Sequence, residues 1–367
     1  MLDFNHVLHE CRTANLRRID ATNKVMVSIG AAALWYFDWI HDSCGIPSKH
    51  IGVEYYMPMP TGLPEYVQWV QNTAGNLADL PSGSADIMFS GQNIEHLWQD
   101  EVTSFLMEAH RVLKPGGELV IDSPNRLITA LYGGAHPEHM VELTPAEAID
   151  LLDAAGFEIE SIRGVFHCRD RQGALLPIDT LTDTPPHSII DRCLSAVDAP
   201  DDSFIWWIHA RRSDRSPDRV RVAAVVEAAW RTGLPERMSR LATQIGERKT
   251  TPDGACFESM VGQAGAVLYG PYAPVRAGRY RATIHVKLLS SCPPDTPVSF
   301  AGAVFNTEAV VKALKHLKSD DLSLTEYSPT VLEFDIPETL FGFQMRLISN
   351  GAAALSVKAH VALELIS

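Results

Sequence analysis

SADIMFSGQNIEHLWQDEVTSFLMEAHRVLKPGGELVIDSPN, residues 84–125, decides the fold. It opens on the apolar run Ile87-Met88-Phe89 and closes on Leu119-Val120-Ile121, each short enough for a buried strand. Between them Val102, Phe105, Leu106, Ala109, Val112 and Leu113 recur at three- and four-residue spacing, which predicts a helix over 101–113 with one apolar face. Lys114-Pro115-Gly116-Gly117 stops that helix, because proline lacks the amide hydrogen that continues the ladder and glycine accepts positive φ. Two buried strands bridged by a helix make one unit of a parallel sheet.

Upstream, residues 1–22 read as a covering helix, and Lys24 to Gly30 as a first buried strand running into a turn, Gly30-Ala31-Ala32-Ala33-Leu34. A second strand, His50 to Glu54, ends on an acid close to the roughly 20-residue spacing at which such sheets set a carboxylate on ribose hydroxyls. Residues 57–64 hold too many prolines for a crossover helix and read as a loop; Tyr66 to Gln71 follows as a third strand. Downstream, Thr144-Pro145-Ala146-Glu147 is a capping box with proline at the first helical position, so a helix runs from there to Gly156. Phe157 to Ile162 alternates as a strand. An irregular, proline-containing insertion covers about 169–202, helical around 189–197, and Ser203 to Ala210 closes the domain.

This series resembles the class I S-adenosylmethionine-dependent methyltransferases of the type 11 kind, on the residues DIMFSGQNIEHLW, HRVLKPGGELVI and SPN, with the passage from His136 through Thr144 to Phe157 alongside. The resemblance covers roughly residues 20–165 and implies a Rossmann-like α/β domain with S-adenosylmethionine as cofactor. It assigns the cofactor to Gly30, Ala32, Glu54, Asn76, Leu77 and Ser90. In the family a glycine-rich loop preceded by an acid follows the first strand; here Ser28 stands for the acid, and Ala32 and Leu34 for glycines. Asn76 stands where the family has an aspartate at the adenine, with Asp79 a second candidate and Leu77 on the adenine face.

The predicted domains are 1–213 for this α/β unit, 214–249 for a linker helix, and 250–367 for an all-β sandwich, the last from short β-type runs broken by Gly, Pro, Asn and Asp. Tyr269 to Tyr280, YGPYAPVRAGRY, resembles a signature of jelly-roll modules attached to bacterial surface-polysaccharide enzymes. That resemblance implies a sugar or glycan acceptor.

Thirty-one basic against 45 acidic residues give a net charge of -14, which repels phosphate backbones and argues against a nucleic-acid partner. The N-terminus has no secretory pattern, and no uninterrupted apolar run approaches the roughly 18 residues of a membrane span. The six scattered cysteines, none in a C-x-x-C pair, read as free thiols of a reducing cytoplasm. Homo-oligomerisation is left open.

Methylating a hydroxyl calls for a general base, since an alcohol is a poor nucleophile at neutral pH. His96, after the fourth strand, is the first candidate; Asp122, at a strand's carboxyl end, is a base or an acceptor-binding group. His136-x-x-His139-x-x-Glu142 supplies a base through either imidazole, a hydrogen-bonded active-site loop, or a seat for a divalent cation. Trp98, Trp206 and Trp207 suit core packing or sugar stacking. The reading that follows is O-methylation of a sugar in a surface polysaccharide, glycolipid or precursor. Its rivals are a non-catalytic carbohydrate-binding or assembly protein on a degenerate methyltransferase fold, and methylation of a small metabolite with the sandwich serving oligomerisation.

Overall fold

The computed structural model describes residues 3–133, 136, 138–238, 240–305 and 310–366. The chain forms two compact units, residues 1–135 with 139–233, and residues 136–138 with 234–367.

The first unit is built on seven strands: β1 (Val25–Ile29), β2 (Lys49–Glu54), β3 (Val67–Gln71), β4 (Ala85–Gly91), β5 (Leu113–Pro124), β6 (Phe157–His167) and β7 (Ser203–Arg212). Their order is β3-β2-β1-β4-β5-β7-β6. The first five are parallel, and β7 pairs antiparallel with both β5 and β6. The helices are α1 (Phe4–Leu16), α2 (Leu34–Cys44), α3 (Gln99–Val112), α4 (Arg126–Thr129), α5 (Pro145–Ala154), α6 (Ile189–Ala196) and α7 (Arg219–Met238). Both faces of the sheet are covered. One core takes Val27, Ile29, Met88, Leu119 and Ile121 from the strands with Val102, Phe105 and Leu106 of α3. The other takes Met26, Ile87, Phe89 and Val120 with Leu8 and Leu16 of α1 and Phe37 and Ile40 of α2. This doubly wound architecture is the predicted one, and β2 reaches β3 through residues 55–66 without a helix, as the prolines require.

Local signals hold with small adjustments. The hydroxyl of Thr144 accepts from the Glu147 N–H at 3.2 Å, and the Glu147 carboxylate accepts from the Thr144 N–H at 2.8 Å, so both halves of the capping box form. The helix of the deciding stretch ends at Val112 rather than Leu113, and Lys-Pro-Gly-Gly lies inside β5. Gly116 there has φ +74°, and the register shifts between Ala85↔Leu113 and Ile87↔Glu118, so the turn is absorbed as an irregularity of the strand. α7 lays Val222, Val226 and Ala229 into the first core. The six cysteines are free thiols, with the sulfurs of Cys11 on α1 and Cys193 on α6 2.8 Å apart.

The second unit is all strand: β8 (Glu247–Thr251), β9 (Gly254–Ser259), β10 (Ala264–Leu268), β11 (Pro271–Val275), β12 (Gly278–Leu288), β13 (Pro297–Phe305), β14 (Val310–Lys318), β15 (Ser328–Ile336), β16 (Leu340–Asn350), β17 (Leu355–Lys358) and β18 (Ala362–Leu365). One sheet runs β10-β16-β13-β14 with β11 also on β16; the other runs β15-β12-β17-β9-β8 with β18 also on β12. Their pairings are antiparallel. Along β12, Tyr280, Ala282, Ile284, Val286 and Leu288 are buried in strict alternation, the pattern of a strand with one face on a core. Phe305 and Phe343 of one sheet meet Phe334 of the other, which makes the two sheets a sandwich over one apolar layer. The apolar-rich stretch from Leu355 to Leu365 is divided between β17 and β18. Two of the strands depart from the β-type pattern: β8 is ERKTT, wholly polar, and β14 is VVKALKHLK, lysine-rich.

No helix among the described residues is long and apolar enough to cross a membrane.

Candidate active site

The sheet order reverses between β1 and β4, and in an open parallel sheet the loops diverge there to leave a crevice at the carboxyl ends. Gly30 sits at that point on β1. Its φ of +76° is left-handed, its N–H donates to the Val53 carbonyl at 2.9 Å, and a Cβ would stand 3.0 Å from the Asn93 amide nitrogen. The loops after β1 and β4 therefore meet through a residue that strongly favours glycine. Ala32 is half-buried in the first loop.

Ser90, beside Ile29 and Ile121 in the sheet, is fully buried, and its hydroxyl has no hydrogen-bond partner among the described residues. The same holds for the Asn93 side-chain oxygen, the Tyr36 hydroxyl, the Ser123 hydroxyl and both oxygens of Glu95. Buried polar groups are nearly always paired, so orphans gathered at one sheet edge mark a place shaped for a polar ligand.

Glu54 ends β2 half-buried. Its Oε1 accepts from the N–H groups of Tyr56 at 2.7 Å and Met57 at 3.0 Å, which fixes the carboxylate at the strand end. The loop beyond it leaves Tyr55, Tyr56, Met57 and Met59 exposed. Asn76 is exposed, and its side-chain oxygen accepts from the Ala78 N–H at 3.4 Å. Leu77 lies in the core at 0% exposure, its N–H donating to Glu108. It packs inside rather than offering a face to an adenine.

Asp122 is fully buried and engaged. Its Oδ2 accepts from Arg12 Nε at 2.6 Å and from the Gln92 amide at 3.0 Å, and its Oδ1 accepts from Arg12 Nη2 at 3.2 Å. The expected base is the anchor of α1 on the sheet edge. Trp206 and Trp207 are 1% and 2% exposed, Trp206 donates to the Leu143 carbonyl, and Trp98 packs 5.6 Å from Trp230, so all three are core.

His96 ends the short 3₁₀ turn Ile94–His96. The Glu95 carbonyl in that turn accepts from the N–H groups of Met140 at 2.6 Å and Val141 at 3.3 Å, which docks the segment carrying His139 onto it. The imidazoles of His96 and His139 stand edge to face with centroids 4.8 Å apart. His139 Nδ1 is 2.5 Å from Oε1 of Glu142, itself buried and bonded to the Thr129 hydroxyl. One ligand atom from each of Glu95, His96 and His139 lies within 4.8 Å of the others. His136 is exposed and belongs to the other compact unit. Thus Gly30 and Ser90 are brought together at the crevice, and His96 and His139 next to one another. Sequence reasoning had no role for Tyr36, Asn93 or Glu95, although Asn93 and Glu95 stand inside the stretch that named His96.

Residues 29–121 match the family model described as a methyltransferase domain. The chain is 46% identical over 98 residues to a Mycolicibacterium smegmatis protein named a probable S-adenosylmethionine-dependent methyltransferase, covering 25% of this chain and 37% of that one. It is 39% identical over 103 residues to a Mycobacterium tuberculosis protein of the same description, covering 27% and 36%. The chain thus spans little more than a third of the length of these curated relatives. A solved S-adenosylmethionine-dependent methyltransferase from Mesorhizobium loti aligns with 55% of this chain and 98% of its own, at 18% identity and a TM-score of 0.40.

Proposed function

We propose that this chain transfers a methyl group from S-adenosylmethionine to a hydroxyl oxygen, the acceptor being a sugar of a bacterial surface polysaccharide, a glycolipid or its precursor. The observation that carries the transfer is the group of orphaned polar atoms on Tyr36, Ser90, Asn93 and Ser123 at the carboxyl edge of a methyltransferase-type sheet. Burying such atoms without partners costs about 1–3 kcal/mol each, a debt that a polar ligand in the crevice removes.

Gly30, Ala32 and Ser90 then line the methionine side of the cofactor, Glu54 receives ribose hydroxyls, and Asn76 stands toward the adenine. When bound, S-adenosylmethionine supplies a methyl carbon on a sulfonium, which an oxygen attacks in line. The chain's task is to hold that oxygen and remove its proton as the new O–C bond forms. Glu95, His96 and His139 are the group suited to it, with Glu142 fixing the ring of His139. Asp122 acts at a distance, through the ion pair that seats α1.

The sugar acceptor is supported by the stretch Tyr269 to Tyr280, which spans β11, and by its setting in an antiparallel sandwich read as a jelly roll. Free cysteines suit a cytoplasmic setting.

Calorimetric titration of S-adenosylmethionine and S-adenosylhomocysteine tests the cofactor. Glu54→Gln keeps one acceptor for the Tyr56 and Met57 amides but removes the charge, and hydrogen bonds to charged groups contribute about 1.5–3 kcal/mol, so affinity should fall roughly 10- to 100-fold. Absence of heat for either ligand with folded wild-type protein favours the non-catalytic carbohydrate-binding reading, which Ala32 and Leu34 in the turn after β1 also support. For the acceptor, a panel of methyl hexosides and short oligosaccharides is incubated with the donor, and products are examined for one added methyl group. Turnover of small non-sugar alcohols alone would remove the glycan assignment.

A further inference from the structure

Glu95 is an anomaly of the first unit. Its side chain is fully buried, and neither carboxylate oxygen makes a hydrogen bond of ordinary geometry, although the Ser123 hydroxyl and the Glu95 N–H lie near it. Burial lifts the carboxyl to about 7, with the nearby His139 only partly offsetting it. A buried carboxylate persists when a cation or a set of donors compensates it. Two imidazoles stand where the cation would be: His96 next along the chain, and His139, docked there by the Met140 and Val141 amides on the Glu95 carbonyl.

The surroundings are those of a ligand set rather than of a packed core. Glu142, itself held by Thr129, accepts the Nδ1 proton of His139 and so puts that ring's lone pair on Nε2. A carboxylate behind a histidine is the usual device for orienting a metal-binding imidazole. We propose that Glu95, His96 and His139 bind one divalent transition-metal cation, with Glu142 as the supporting carboxylate of His139. Two nitrogens and one oxygen suit zinc or manganese better than magnesium or calcium, which favour oxygen-only shells.

Ligand atoms of a tetrahedral zinc with bonds of about 2.1 Å stand about 3.4 Å apart, so the group, spread over at most 4.8 Å, closes by up to roughly 1.4 Å on binding, within reach of side-chain rotation. Three protein ligands leave a fourth position open. A hydroxyl placed there loses its proton more readily, because the cation stabilises the alkoxide. That role rests on the methyltransferase reading; metal binding itself does not.

The experiment is a calorimetric titration of zinc chloride into full-length protein stripped with a chelator, with cobalt absorption as a second readout of a four-coordinate site. One zinc per chain is expected. Glu95→Gln and His96→Gln should each abolish that event, and Glu142→Gln should weaken it roughly 10- to 100-fold. A Cys11→Ser/Cys193→Ser protein, which lacks the other metal-attracting pair, should bind zinc unchanged. Affinity of the wild-type protein for S-adenosylmethionine is measured in the same preparation, with and without zinc. Zinc binding that is absent, or that survives both Glu95→Gln and His96→Gln, overturns the proposal. A zinc site in a protein that ignores S-adenosylmethionine would leave this proposal standing and remove the methyltransferase reading instead.

Discussion

Arg12→Met should lower the stability of the first unit by about 3–5 kcal/mol, the usual result of stripping one partner from a buried ion pair. Asp122 is 0% exposed, and the Arg12 side chain, 13% exposed, is its only cationic partner among the described residues. The guanidinium reaches both carboxylate oxygens, at 2.6 and 3.2 Å, and lies over the Trp39 ring with 5.3 Å to its centroid. Methionine fills much of the same volume against Trp39, so lost packing accounts for little of the change. What remains is a carboxylate in the interior with one amide donor, Gln92. All seven tryptophans precede residue 231, so their fluorescence in urea follows this unit. The double variant Arg12→Met/Asp122→Leu removes charge on both sides and should recover most of the loss, because well-packed apolar replacements of buried pairs are commonly neutral or better. A single variant within about 1 kcal/mol of wild type would mean that water reaches Asp122 and that the ion pair is an exposed one in effect.

The same pair marks where reading the sequence stops. Residues 84–125 and 144–156 declare their elements because the signals are local: periodic apolar faces, a proline-glycine breaker, a cap and its answering glutamate. Asp122 sits in such a legible strand, yet its use is decided by Arg12, 110 positions away. An acid at the carboxyl end of a parallel strand looks the same whether it faces a ligand or a helix folded back upon it. Glu95 was invisible for a related reason. Its neighbour His96 attracted the chemistry, while the direction of each side chain is set by a 3₁₀ turn and by a segment more than 40 residues on that hydrogen-bonds to it. Leu77 was read from its position in a family pattern, and packing took it into the core. In the second unit, β12 alternates buried and part-exposed residues along its length, whereas β8 carries no apolar residue and could not announce itself.

Between pH 7.5 and pH 5 His50 should take about 2 kcal/mol from the stability of the first unit, at 1.36 kcal/mol per pH unit below its ordinary pKa. His50 on β2 is 0% exposed, and burial, with a smaller push from His41, lowers its pKa from 6.5 to about 3. Its Nε2 meets the Ser28 hydroxyl at 2.8 Å and its Nδ1 meets His41 Nε2 at 2.9 Å, while Phe37 packs edge-on at 4.9 Å. His41 in turn contacts the Tyr66 hydroxyl, so the groups bonded to His50 form a neutral chain with no carboxylate to welcome a proton. At His50 the folded state therefore binds fewer protons than the unfolded state between pH 6.5 and about 3. The stabilisation is complete above 6.5 and is lost as pH falls through that window. His41, His110 and His167 are shifted the same way by burial and add to the slope, whereas Glu118, held near 2 by His209 and Lys24, adds only below about 4.5. Between pH 7.5 and 5 the carboxylates of ordinary pKa stay ionised; Glu95, lifted to about 7 by burial, takes up a proton there and opposes the trend, so the effect of His50 is read as a difference between wild type and a variant. Compared with wild type, His50→Gln should gain most of that 2 kcal/mol at pH 5 relative to pH 7.5, whatever the substitution does at pH 7.5. Parallel stability curves for the two proteins would show that His50 is protonated in the fold at pH 5, and that the Ser28–His50–His41 chain opens to water at little cost.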